Sequence, residues 1–288
     1  MIVSAETITL LEGEYKMLKR TSILAIFVLM IFLGGCGMTG LAKPEPEQGT
    51  KDEPIIPPTP TTETVTVTLY FSDWQAQHVV PETREVNQGN MSLEELVVTE
   101  LIKGPEEPHL YRSLPENLKL LSVDVVEEVA YVNLSSEMNK VQGSAGTFIA
   151  LHSLINTMTE LEGINKVQIL VEGNKWNVEG HGVASPEPMG RNIITWPILI
   201  DEDRVTYLQE KVDNGEEQWR LDPLESARHD ARMAGFYLTD EFELMTIEDG
   251  IALVTVNAHD GNQYLLELIQ PATRGETGIW ILTDVSQR

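Results

Sequence analysis

The sequence predicts an α+β chain: a mixed sheet with two helices on one face, followed by a smaller helix-plus-antiparallel-meander domain. Three observations predict it. Runs such as "VTVTLYF" alternate with the period of a half-buried strand. Others, such as "SLEELVVTELIK", repeat apolar residues at helical spacing. Strands and helices interleave up to about residue 200, whereas beyond it a helix is followed by strands alone.

The elements follow in order. Val65, Val67, Leu69 and Phe71 share one face of the first strand, and "HVVPETREV" returns as a second, weakened by Pro81. Ser92 and Glu95 make a capping box for a helix whose stripe is Leu93, Leu96, Val97 and Leu101, and Gly104-Pro105 stop it. "LKLLSVDVVEEVAYVNLS" reads as two strands folded back at Glu127-Glu128. The second helix has Ser144 as its expected cap, Phe148, Leu151, Leu154, Ile155, Met158 and Leu161 as its stripe, and Gly163 as its end. "KVQILVEG" is a buried strand and "WNVEGHG" a short closing one. After residue 200, Asp222 caps a helix with Pro223 at its first position and Glu225 completing a capping box, and Gly235 closes it. Four strand-like runs complete the meander, with turns at Glu248-Asp249-Gly250 and Asp260-Gly261.

The N-terminal part is of another kind. Lys19 and Arg20 precede an apolar run over 23–33, the pattern of an export signal, and the run is short for a membrane span. Met17 reads as the true start, because Glu12-Gly13-Glu14 can be encoded by a purine-rich ribosome-binding sequence. Leu33, Gly34 and Gly35 before Cys36 resemble the bacterial lipobox, which implies a lipid on the Cys36 thiol and cleavage just before it. Cys36 is the single cysteine, so no intramolecular disulfide forms. Residues 39–64 are rich in proline, threonine and charge and read as a disordered tether. The expected organisation is a signal peptide over 1–35, the lipidated cysteine and tether over 36–64, a first domain over 65–200 and a second over 201–288.

Three segments carry a family resemblance. "SLPENLKLLSVDVVEEVAYVNLSSEM", "GSAGTFIALHSLINTMTELEGINKVQILVEG" and "GHGVASPEPMGRN" resemble successive blocks of a GerMN domain, the module of GerM-type sporulation and spore-germination proteins and of some envelope lipoproteins. The resemblance spans about residues 65–195. It implies an α/β module related to ring-building motifs of secretion and sporulation complexes, and it implies no catalytic residues. Two departures stand out: Glu127-Glu128 replaces an Asp-Gly-like turn, and one module is found where GerM-type proteins commonly carry two.

The net charge of −25 argues against nucleic-acid binding, which needs basic stripes. The six histidines are scattered without helical metal-ligand spacing, so no metal or cofactor is expected. His152 is expected to be packed or half-exposed on the second helix, and Asp201-Glu202-Asp203 to be a solvated linker. "QGSAG" lacks the lysine of a phosphate loop and reads as cap and turn. The candidate binding residues are His181 between two glycines, Arg191 near the expected domain junction, and Trp176 beside a strand.

These readings converge on a non-catalytic lipoprotein held by a lipid on Cys36 at the extracytoplasmic face of the cell membrane. Its expected partners are envelope or sporulation proteins, with no nucleic acid. The alternative is a ligand-binding lipoprotein whose cleft between the two domains holds a peptide or a cell-wall fragment.

Overall fold

In the computed structural model the described residues are 63–176, 187–195 and 197–288. The signal, the Cys36 lipobox, the tether, His181 and most of "WNVEGHG" lie outside them. Strands β1 (Thr64–Ser72) and β2 (Val79–Asn87) form an antiparallel hairpin that pairs Thr64 with Asn87 and Ser72 with Val79. Pro81 is accommodated within β2, which among the described residues has β1 as its one strand partner. Helix α1 (Leu93–Lys103) has the expected capping box: the Glu95 amide donates to Ser92 Oγ at 3.2 Å, and the Ser92 amide donates to Glu95 Oε2 at 3.3 Å.

Strands β3 (Leu120–Val126) and β4 (Val129–Leu134) pair antiparallel. Glu127 and Glu128 form their two-residue loop with φ of 50° and 65°, the left-handed geometry of a type I′ turn made without glycine. Helix α2 (Gly143–Met158) crosses from β4 to β5 (Lys166–Val171), which therefore runs parallel to β4. The two-residue β6 (Asn174–Lys175) closes this four-stranded mixed sheet in the order β3-β4-β5-β6.

Two details differ from expectation in this half. The β1–β2 hairpin is a sheet of its own, and among the described residues the other edge of β1 makes a single isolated antiparallel bridge, from Ser72 to Tyr111. Val67, Leu69 and Phe71 enter the main core, whereas Tyr70 packs with Val79 against Ile149 of α2. The second correction concerns α2, which starts at Gly143 after Gln142 rather than at a Ser144 cap. It ends at Met158, where Thr159 Oγ1 donates to the Ile155 carbonyl at 2.8 Å, so Gly163 belongs to the turn beyond.

The region after residue 200 contains the expected meander, β7 (Glu241–Glu248), β8 (Ile251–Asn257), β9 (Gln263–Ile269) and β10 (Ile281–Gln287), with neighbours antiparallel throughout. It also contains a helix that replaces the expected linker. Asp201 is the N-cap of α3 (Glu202–Asp213), accepting from the amides of Asp203 and Arg204 at 3.1 and 3.2 Å. Val205, Leu208 and Val212 fall on one side of α3 and bury a small cluster with Ile279. Helix α4 (Pro223–Asp230) keeps the expected Asp222 cap and lies across the meander, and a 3-10 turn over Ala231–Ala234 leads to Gly235. Gly235 has φ +96°, and a Cβ there would lie 2.2 Å from the Asn192 carbonyl oxygen. That close approach lets the Ile194 amide donate to the Ala234 carbonyl at 2.9 Å.

One hydrophobic cluster runs through both regions. It joins Leu69, Leu134, Leu154 and Ile169 to Ala231, Phe236, Val254 and Leu266. The described residues all fall within a single compact unit.

Candidate functional site

The two regions meet around one part-buried carboxylate. Glu160, just past α2, accepts from Tyr70 Oη of β1 at 2.6 Å and from Arg191 Nη2 at 2.6 Å, and Arg232 Nη2 lies 3.1 Å from its other oxygen. The Arg191 side chain is fully buried and also donates to Thr159 Oγ1, the Asn156 carbonyl and the Phe236 carbonyl, at 2.8, 2.7 and 3.2 Å. Its guanidinium sits between the rings of Tyr70 and Tyr237, 5.2 and 4.6 Å from their centroids. Burial alone would raise the Glu160 carboxyl, but the charges of Arg191 and Arg232, with hydrogen bonds from Tyr70 and Arg191, hold it below the usual carboxylate range. Burial likewise pushes the Tyr70 hydroxyl up to about 12, against the opposing pull of the two arginines. This network ties β1, α2 and the segment after residue 190 into one body.

Beside it lies a cleft of about 430 Å³, lined by β2 and the chain near His109 on one side and by α3, α4 and the start of β10 on the other. Arg232 belongs to both the cleft and the Glu160 network. Lys211 of α3 bridges the two walls: its Nζ lies 2.7 Å from Glu107 and 2.6 Å from Glu217, and these carboxylates raise its pKa against the effect of burial. Arg220 donates to Glu217 at 2.7 Å and Asp230 at 3.1 Å, and lies 4.2 Å over the Trp219 ring. The His229 imidazole stacks on Trp219 with centroids 4.1 Å apart. Burial and then the charge of Arg232 lower its pKa, so it stays neutral near pH 7. On the far wall Glu82 accepts from Arg84 Nε at 2.7 Å and from the amides of Glu106 and Glu107 at 3.0 and 2.9 Å. Trp74, at the rim, is 50% exposed.

Among the three candidates from the sequence, Arg191 is an internal clamp adjoining the cleft rather than part of its lining. Trp176 is 2% exposed, part of the main core, with its amide donating to the Ile169 carbonyl at 2.9 Å. His181 lies outside the described residues. Glu160, Tyr70, Arg204, Lys211 and Arg232 are not among those candidates. Tyr70 interrupts the alternation of β1 with a polar-tipped ring on the opposite face, a signal that was available; Glu160 offered none. His152 is 5% exposed, its ring 4.1 Å from that of Phe148, and burial lowers its pKa to about 4. Among the described residues no group of histidines and carboxylates is arranged to hold a metal ion.

Residues 68–176, which run from β1 through the mixed sheet, match the family model "Germane: Sporulation and spore germination". The chain carries a GerMN domain. Two of the similar solved structures are of the sporulation protein GerM from Bacillus subtilis. Its first GerMN domain is 20% identical over 44% of this chain and 98% of that one, with a TM-score of 0.39. Its tandem GerMN domains are 17% identical over 65% of this chain and 77% of that one, with a TM-score of 0.42. No curated protein matches the chain. The cleft described above is walled by GerMN residues on one side and by the region after residue 197 on the other.

Proposed function

We propose that this chain is a bacterial lipoprotein, anchored through Cys36 at the extracytoplasmic face of the cell membrane, that serves sporulation or spore germination by binding another envelope protein rather than by catalysis. The observation that carries this reading is the GerMN match over residues 68–176. The lipobox at Leu33, Gly34, Gly35 and Cys36 and the tether that follows support it. One acyl chain anchors a protein only marginally, whereas the two chains of a diacylglycerol hold it stably. Confinement to the bilayer plane raises the domain's effective concentration toward other membrane-held proteins.

Two measurements test this. Cell fractionation is expected to find the wild-type chain in the membrane fraction and Cys36→Ser in the soluble extracytoplasmic fraction. Crosslinking of the native chain in sporulating cells, read by mass spectrometry, is expected to recover envelope proteins. A Cys36→Ser chain that stays membrane-bound, or crosslinks to cytoplasmic proteins alone, refutes the proposal.

A second reading, that the chain binds a small ligand such as a peptide or a cell-wall fragment, is favoured by the cleft of about 430 Å³. That volume falls within the roughly 300–1,000 Å³ typical of ligand sites.

A further inference from the structure

We infer that the cleft between the GerMN domain and the region after residue 197 takes a ligand bearing a single carboxylate, received by the Arg204 guanidinium. The inference deepens the second reading above and rests on it.

Each acid with a part in the cleft wall is engaged: Glu107 and Glu217 with Lys211, Asp230 with Arg220, and Glu82 with Arg84. Asp201 is spent on the amides that open α3, and Asp73 on the Gln77 amide and the His78 ring. Three of the four cations of the lining are likewise held, Lys211, Arg220 and Arg232 each by a carboxylate. Arg204 is the exception. It lines the cleft from α3, half-buried, and among the described residues its guanidinium makes no ion pair and no hydrogen bond. Arg232 repeats the pattern in part: it is 5% exposed, and its Nε is buried without an acceptor. Burial and the neighbouring charge of Arg220 lower the Arg204 pKa, while Asp230, Glu107 and Glu217 only partly offset this from a distance. Although carboxylates outnumber cations in the lining, one planar, fork-shaped donor of the cleft is therefore left, among the described residues, without an acceptor in contact.

A carboxylate fits that donor. Its two oxygens match the two parallel donors of a guanidinium, and the bond is charge-assisted. A phosphate carries roughly −1.5 to −2 and would bring its second charge against the surrounding acids. The half-exposed Trp74 ring at the rim offers a flat apolar surface for the body of the ligand, while the Trp219 face is already covered by His229 and Arg220. Two sources supply such a carboxylate: the C-terminus of a peptide and the lactyl ether of a muramyl sugar.

The test is isothermal titration of the full chain with an N-acetylated dipeptide, its C-terminal amide, N-acetylmuramic acid, N-acetylglucosamine and inorganic phosphate. At least one of the two acids is expected to bind saturably, more tightly than its neutral counterpart and more tightly than phosphate. The tighter acid identifies the source. Arg204→Gln is expected to weaken that binding roughly 10- to 100-fold, the range set by losing a charge-assisted pair. Trp74→Ala, at a position exposed enough to leave the fold intact, is expected to weaken it independently. Neutral probes binding as well as the acids, unaffected by Arg204→Gln, would leave the cleft a ligand site and overturn the carboxylate. Phosphate binding tightest overturns it as well. No saturable binding by any probe overturns the inference together with the reading beneath it.

Discussion

Replacing Glu160 with Gln keeps the shape of the side chain and deletes the charge on which two buried arginines depend. Arg191 is fully buried and Arg232 is 6% exposed, so neither guanidinium recovers the lost interaction from water. Removing one partner of a buried ion pair costs about 3–5 kcal/mol, because an uncompensated charge stays inside. The carboxylate itself is 20% exposed, which places the expectation toward the lower end of that range. Urea unfolding followed by tryptophan fluorescence should show a midpoint about 1 M lower, for a slope near 3 kcal/mol per M. The pH dependence carries the sharper signature. The native Glu160 pKa is depressed, so its contribution is complete above its ordinary value of 4.5 and is lost as pH falls through the native pKa. The gap between wild type and Glu160→Gln should thus be full at pH 7 and close on acidification. A destabilisation below about 1 kcal/mol at pH 7, or a gap that does not narrow in acid, would refute the account of Glu160 as the shared counter-charge.

Two other outcomes are expected. His152 titrates near 6.5 when unfolded and at about 4 in the native chain, so the unfolded state binds the proton first and stability falls as pH drops between those values. At about 1.4 kcal/mol per pH unit the loss approaches 3 kcal/mol, and His152→Leu should flatten that part of a stability-versus-pH curve. In the β3–β4 turn, Glu127→Asn combined with Glu128→Gly should stabilise the chain by about 1 kcal/mol, because both positions require positive φ. The variant gives up an exposed hydrogen bond from Asn165 to the Glu128 side chain but keeps the backbone bonds to the Glu128 carbonyl, and thermal melting reads the net effect.

Local chemistry was the legible part of this sequence. The α1 capping box, the Asp222 cap, the strands of the meander and the Glu127-Glu128 reversal all depend on residues a few positions apart, and such spacings survive in one dimension. Helix α3 was readable in principle. Val205, Leu208 and Val212 hold helical spacing, but the acidic run before them resembles a solvated linker until Asp201 is seen to cap it. The α2 start departs from the expectation because Ser144 is chemically a better cap than Gln142, which occupies that position. The junction could not be read at all. Arg191 meets Glu160 across 31 positions and Tyr70 across 121, and no pattern of spacing announces such meetings. Arg191 stands out in the sequence only by its place near the expected boundary, whereas its role as an internal clamp exists only in three dimensions. Arg204 is harder still, since its distinction is the lack of a neighbour that every comparable cation nearby possesses.

The Glu160 network also bears on the order in which the molecule is made. Tyr70 and Glu160 emerge early in vectorial synthesis, but both of their cations, Arg191 and Arg232, come later. A nascent chain that has reached residue 176 thus exposes an acidic group and a phenol with nothing to neutralise the former. The network therefore closes only once residues 191 and 232 are present, so the tie it makes between β1, α2 and the later chain is among the last to form during elongation.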